Sequence, residues 1–178
     1  MPFIGLSKPP EQTLSPTLHV GSCAPEAHFL KTDSNNMIVF LRHTGCPFAE
    51  AALKALSEYS ASYPDTNCCA ILHGDTKIAE QWVSNFKLSD KIKLIFDEQR
   101  EHYGKWGIGY SKLEHLLHPL VLVNLSKLAL KGIRNRNASG TRWQQQAAFL
   151  VDENGTVRWF HLPRHAGDLP DFLLPGHF

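Results

Sequence analysis

The chain has 178 residues, 43% hydrophobic and 20% charged, enough apolar material for one substantial core and the size of a single domain over 1–178. A net charge of +1 argues against a dedicated nucleic-acid or polyanion binder, so no nucleic-acid partner is expected. The start, MPFIGLSKPPEQT, lacks the basic and apolar regions of a secretory signal, and the Leu-rich stretch 113–130 is interrupted by Glu114, His115, His118, Pro119, Asn124 and Lys127, so no membrane association is expected.

Strand-like and helix-like patterns alternate along the chain. MIVFLR (37–42) is a continuous apolar run of the kind buried on both faces of a central sheet. A helix starting at Pro47 puts Phe48, Ala52, Leu56 and Tyr59 on one face, with Glu50, Lys54 and Glu58 opposite. CCAILH is a second buried strand, after which Asp75 can N-cap a helix with the stripe Ile78, Ala79, Trp82, Val83 and Phe86. KIKLIFD reads as a third strand and EQREHYGKWG as a short helix ending at Gly107. In AAFLVDENGTVRWFH two strand-like runs lie around Asp152-Glu153-Asn154-Gly155, with Asn-Gly expected to supply the positive φ angles of a tight hairpin turn.

Before that hairpin lies an insert, from about 111 to 143. Leu113, Leu116, Leu117, Leu120 and Val121 keep helical spacing, with Pro119 separating two short helices. The following loop is basic: Lys127, Lys131, Arg134, Arg136 and Arg142 occur with no acidic residue between Glu114 and Asp152. The order predicts an α/β, thioredoxin-like fold with a mixed central sheet, flanking helices and a helical insert before the C-terminal β-hairpin.

FLRHTGCPFAE (40–50) puts Cys46 at the junction of the first strand and the first long helix. Unpaired backbone N–H groups and the positive end of the helix dipole favour thiolate over thiol at such a position. Arg42 and His43 are expected to add positive potential, and Thr44 to donate a hydrogen bond to the sulfur or to its attacking partner. The four cysteines (Cys23, Cys46, Cys68, Cys69) lack the spacing of a disulfide framework, which fits a reducing, cytoplasmic compartment. Cys68 and Cys69 are adjacent in a strand and point to opposite faces, so buried packing is their expected role, with a resolving role for one of them as the alternative. Cys23 is a loop residue that could resolve Cys46 only if its loop folds back over the helix start.

VFLRHTGCPFAE, LIFDEQREHYGKWGI and QQQAAFLVDENGTVRWFHLPRHAGDLPDF together resemble the thioredoxin-like alkyl hydroperoxide reductase/thiol-specific antioxidant (peroxiredoxin-like) family, over most of 20–173. The resemblance implies a cofactor-free thiol oxidoreductase or peroxidase whose reactive residue is Cys46. It departs from the Pro-x-x-x-Thr-x-x-Cys pattern of typical members at Val39 and His43, with Thr44 one place later. Gln146 stands where the family has an arginine, which leaves Arg42 or Arg142 to substitute. Ala49 replaces the second cysteine of Cys-x-x-Cys, so regeneration falls to an external thiol such as glutathione or thioredoxin.

The substrate side of the site is assigned to Phe48, Gln146, Arg134, Arg136 and Arg142, the arginines meeting an acidic group on a small molecule. The Leu stripe has three readings: a roof over an apolar pocket at Cys46, a cover for the core, or a homodimer face. No metal is expected, because His115/His118 and His161/His165 lack further ligands at suitable spacing. Asp168 is expected to cap a last helical turn. Two other functional readings stand beside the thiol enzyme: a thioredoxin-fold tailoring enzyme acting on an apolar small molecule without redox chemistry, and a non-catalytic binding or dimerisation module.

Overall fold

The computed structural model describes residues 11–136 and 138–172; the start of the chain read above, 1–10, and Asn137 of the basic loop lie outside the described residues. Strands β1 (Asn36–Phe40), β2 (Asn67–Leu72), β3 (Ile92–Phe96), β4 (Ala147–Val151) and β5 (Val157–His161) form one sheet in the order β3-β2-β1-β4-β5. The first three run parallel, while β4 pairs antiparallel with both β1 and β5. This is the mixed sheet of a thioredoxin-like α/β fold. All five residues of β1 are buried, because the strand lies at the centre with layers on both faces.

Helices α1 (Pro47–Ser62), α2 (Thr76–Val83), α3 (Glu101–Lys105), α4 (Leu113–Leu116) and α5 (Pro119–Leu130) complete the described elements. The period-2 alternation of β1 divides the core in two. Met37, Val39 and Leu41 pack with Leu53 and Leu56 of α1, Trp82 of α2, and Val121 and Leu128 of α5. Ile38 and Phe40 join Phe29, Tyr103, Trp106, Ile108 and Phe149 on the other face. Cys68 belongs to the first cluster and Cys69 to the second, as their adjacency in a strand requires.

Three local expectations are corrected. Asp75 does cap α2, accepting from the Ile78 N–H at 2.9 Å, but Ile78 itself faces solvent and Phe86 lies beyond the helix end. In the β4–β5 turn only Gly155 takes a positive φ, 76°; Asn154 does not. The Asp152 carboxylate closes that turn by accepting from the N–H groups of Asn154 and Thr156 (3.0 and 2.8 Å), so one left-handed glycine suffices where two positive φ angles were expected.

The third concerns the insert. Pro119 does start a new helix, with His118 as its N-cap, accepting from the Leu120 N–H at 3.3 Å. But Leu113, Leu117 and Leu120 are exposed, and of the predicted stripe only Val121 is fully buried, with Leu116 packing beside the core. Leu125, Leu128 and Ile133 provide the remaining contacts instead. The break at Pro119 resets the helix phase, so residues spaced on one face across the break do not share a face in space.

Candidate functional site

Cys46 is the N-cap residue of α1, with Pro47 at the first helical position and Gly45 before it at φ 78°. Its side chain makes no capping hydrogen bond, so the sulfur stands unengaged beside the open amides of the first turn. Cys46 is 4% exposed, which restricts direct attack to small reactants.

The residues before it are placed by strand ends and by chain from the insert. The buried Tyr103 hydroxyl lies 2.6 Å from the Leu41 carbonyl and 3.0 Å from that of Ile71, pinning β1 and β2 where the chain leaves the sheet. Arg42 is buried and donates to the carbonyls of Arg142 (3.0 Å) and Ala166 (3.5 Å). Its guanidinium thus braces the tail turn and the end of the insert.

His43 donates from Nδ1 to the Thr44 carbonyl at 2.8 Å, which leaves Nε2 as the acceptor of a neutral ring. Burial, helped by the nearby charges of Arg42 and Arg142, lowers its pKa to about 4. The expected positive potential from His43 is therefore corrected: the ring is neutral at neutral pH. Thr44 is buried, and its Oγ1 accepts from the Ser139 N–H at 3.0 Å.

The basic loop of the insert lies against this turn. The Arg136 N–H donates to the Gly45 carbonyl at 2.9 Å, while its guanidinium sits 4.0 Å from Glu50, which also pairs with Lys54 at 2.7 Å. Arg142 is half-buried and Arg134 is exposed. Gln146 is buried and donates to the Asp168 carbonyl at 2.8 Å. Phe48 is 2% exposed and packs against Gly167 within the core.

The family model described as AhpC/TSA antioxidant enzyme matches residues 52–165, more than half of the chain. The chain belongs to this family. The AhpC/TSA family brings a thiol-dependent redox role and a peroxiredoxin-like thioredoxin fold; the matched span begins six residues after Cys46. No curated protein sequence matches the chain.

Among solved structures, a peroxiredoxin-like protein from Aquifex aeolicus has a TM-score of 0.60 at 17% identity, covering 90% of this chain and 85% of that one. A thiol peroxidase from Chromobacterium violaceum has a TM-score of 0.60 at 14% identity, covering 91% and 86%. A yeast mitochondrial 1-Cys peroxiredoxin, whose structure concerns thiol resolution via glutathione/thioredoxin systems, has a TM-score of 0.52 at 10% identity, covering 89% and 72%. At these identities the likeness is one of fold.

In this AhpC/TSA-family chain the other cysteines lie at the far end of the sheet from Cys46. Cys23 bridges to Thr156 beside the hairpin, and Cys68 pairs with Met37 at the start of β1. Cys46 follows the opposite end of that strand, roughly 13 Å away along the strand at about 3.3 Å per residue, beyond disulfide reach. Burial raises the pKa of Cys68 to about 12 and that of Cys69 to about 11, which keeps both as thiols. The histidines hold structure together. His115 Nε2 lies 3.1 Å from the Pro163 carbonyl, His118 stacks on His165 at 4.7 Å, and Asp168 closes the tail turn by accepting from the Arg164 N–H, not by capping a helix.

Sequence reasoning missed Ser139 and His73. Ser139 carries no motif, and its partners lie in distant segments. His73 follows β2 and is buried with neither ring nitrogen hydrogen-bonded among the described residues, a state that no local pattern announces.

Proposed function

We propose that the protein is a single-cysteine peroxidase in which Cys46 is the nucleophile. The observation that carries this reading is the unengaged sulfur at the N-cap of α1, the most electropositive point of that helix. The Cys46 thiolate attacks the terminal oxygen of a small hydroperoxide: an S–O bond forms, the O–O bond breaks, sulfur is oxidised by two electrons, and the departing alkoxide or hydroxide takes up a proton. The products are the Cys46 sulfenic acid and an alcohol or water.

With no other cysteine within reach of Cys46, the sulfenic acid is resolved from outside. A first external thiol condenses with it to a mixed disulfide, releasing water. A second thiol then attacks that disulfide, restoring the Cys46 thiol and leaving as the oxidised disulfide product. The glutathione/thioredoxin resolution described for the yeast 1-Cys peroxiredoxin makes those two reductants the first to try. Arg42 supplies the fixed positive charge behind the turn, Thr44 the hydroxyl, and Arg142 a partly exposed cation for an acidic substrate group.

The test is turnover of hydrogen peroxide with either reductant. Cys46→Ser is expected to abolish it, while Cys23→Ser and Cys68→Ser retain wild-type rates. Full activity in Cys46→Ser rules the reading out.

A further inference from the structure

Thr44 and the insert meet through one residue, Ser139. A hydroxyl accepts two hydrogen bonds and donates one. Thr44 Oγ1 accepts from the Ser139 N–H at 3.0 Å, and its proton goes to no described residue. With one lone pair committed to the insert, fewer orientations remain open to the hydroxyl, two residues before the sulfur.

Ser139 is itself fixed on its other side. Its Oγ accepts from the Asp75 N–H at 2.8 Å, at the start of α2, and the residue is 5% exposed. The chain around it fits with no room to spare: a Cβ on Gly74 would fall 2.7 Å from Ser139 Oγ, and one on Gly140 would fall 2.5 Å from His73 Nδ1. Both glycines have positive φ, 89° and 79°. Together, the Arg136 N–H bond to Gly45 and the Ser139 bonds to Thr44 and Asp75 bolt the turn before α1 to the turn before α2.

We propose that Ser139 is a positioning residue of the Cys46 site: its backbone N–H orients the Thr44 hydroxyl so that its uncommitted proton is offered to the peroxide oxygen under attack. This rests on the reading of Cys46 as the peroxidatic nucleophile. Ser139 touches no reactant and acts only through Thr44, while its Oγ bond to Asp75 holds the N–H in place. The insert is then a working part of the site and not merely its cover.

The experiment is a double-mutant cycle on single-turnover oxidation of Cys46 by hydrogen peroxide, with trapped sulfenate measured by mass spectrometry. Thr44→Val is expected to slow oxidation by about 100-fold, the scale of one lost transition-state donor. Ser139→Ala is expected to slow it by about fivefold, the worth of one hydrogen bond. In the Thr44→Val background Ser139→Ala should change nothing further. Alkylation of Cys46 by iodoacetamide, which needs no donor to oxygen, should move less than about twofold with Ser139→Ala if the residue acts through Thr44.

If Ser139→Ala folds poorly, Gly140→Ala displaces the same loop against His73, and its oxidation defect should likewise vanish in the Thr44→Val background. Equal effects of Ser139→Ala in both backgrounds, or a parallel loss of alkylation, make Ser139 merely structural and overturn the proposal. A wild-type protein that forms no Cys46 sulfenate overturns the peroxidase reading and this proposal together. A normal wild-type rate that Ser139→Ala leaves unchanged overturns this proposal alone.

Discussion

His43 follows β1 and His73 follows β2, and each is almost wholly buried. Desolvation lowers the pKa of His43 from 6.5 to about 4, and that of His73 from 6.5 to about 3, with His43, Arg100 and Arg42 adding to the shift at His73. The folded protein therefore binds fewer protons than the unfolded chain below pH 6.5. The stability contributed by the neutral rings is whole above that pH and is lost as pH falls toward 4 and then 3. Thermal midpoints measured from pH 7 down to 4 should show this decline, and His73→Leu should make it shallower. An acid limb as steep as that of wild type would clear His73 of the effect. The residue identities were plain in the sequence, but their charge states were not, because burial decides those and burial belongs to the packed molecule.

The elements themselves were largely legible. Continuous apolar runs marked β1 and β2, Pro47 marked the start of α1, and Asp75 marked the start of α2 through a cap that the structure contains. Asp75→Ala should cost about 1 kcal/mol, seen as a lower urea midpoint with an unchanged slope. No loss would mean that the Ser139 contact to the Asp75 N–H already holds that helix start by itself. The insert was legible only in part. Its helices and the break at Pro119 were foreseen, but the outward turn of Leu113, Leu117 and Leu120 was not. Helical spacing predicts a shared face within one helix, not across a break. Leu130, 90% exposed, accordingly should tolerate replacement by Lys within about 0.5 kcal/mol, measured by the same denaturation.

Across the whole molecule, two apolar layers clamp the sheet, and the buried Cys46 turn follows the end of β1. Trp106 is a fully buried wedge of the second layer, with its ring centroid 5.4 Å from that of Phe40 and 5.1 Å from that of Phe149. Trp106→Ala should lose about 3–5 kcal/mol in equilibrium unfolding, and a loss under about 1 kcal/mol would show that the layer collapses around the gap. The sequence by itself determined the element order, the mixed sheet that follows from it, and the placement of Cys46 at a helix start, since each depends on periodicity and turn chemistry within a few neighbouring residues. Only the tertiary structure decided what surrounds that cysteine. Thr44 meets Ser139 across 95 residues and Arg42 meets Ala166 across 124, and neither contact has a local signature. Such meetings are set by how separately encoded elements pack, and packing also removes the water that would let His43 take up a proton near its ordinary pKa of 6.5.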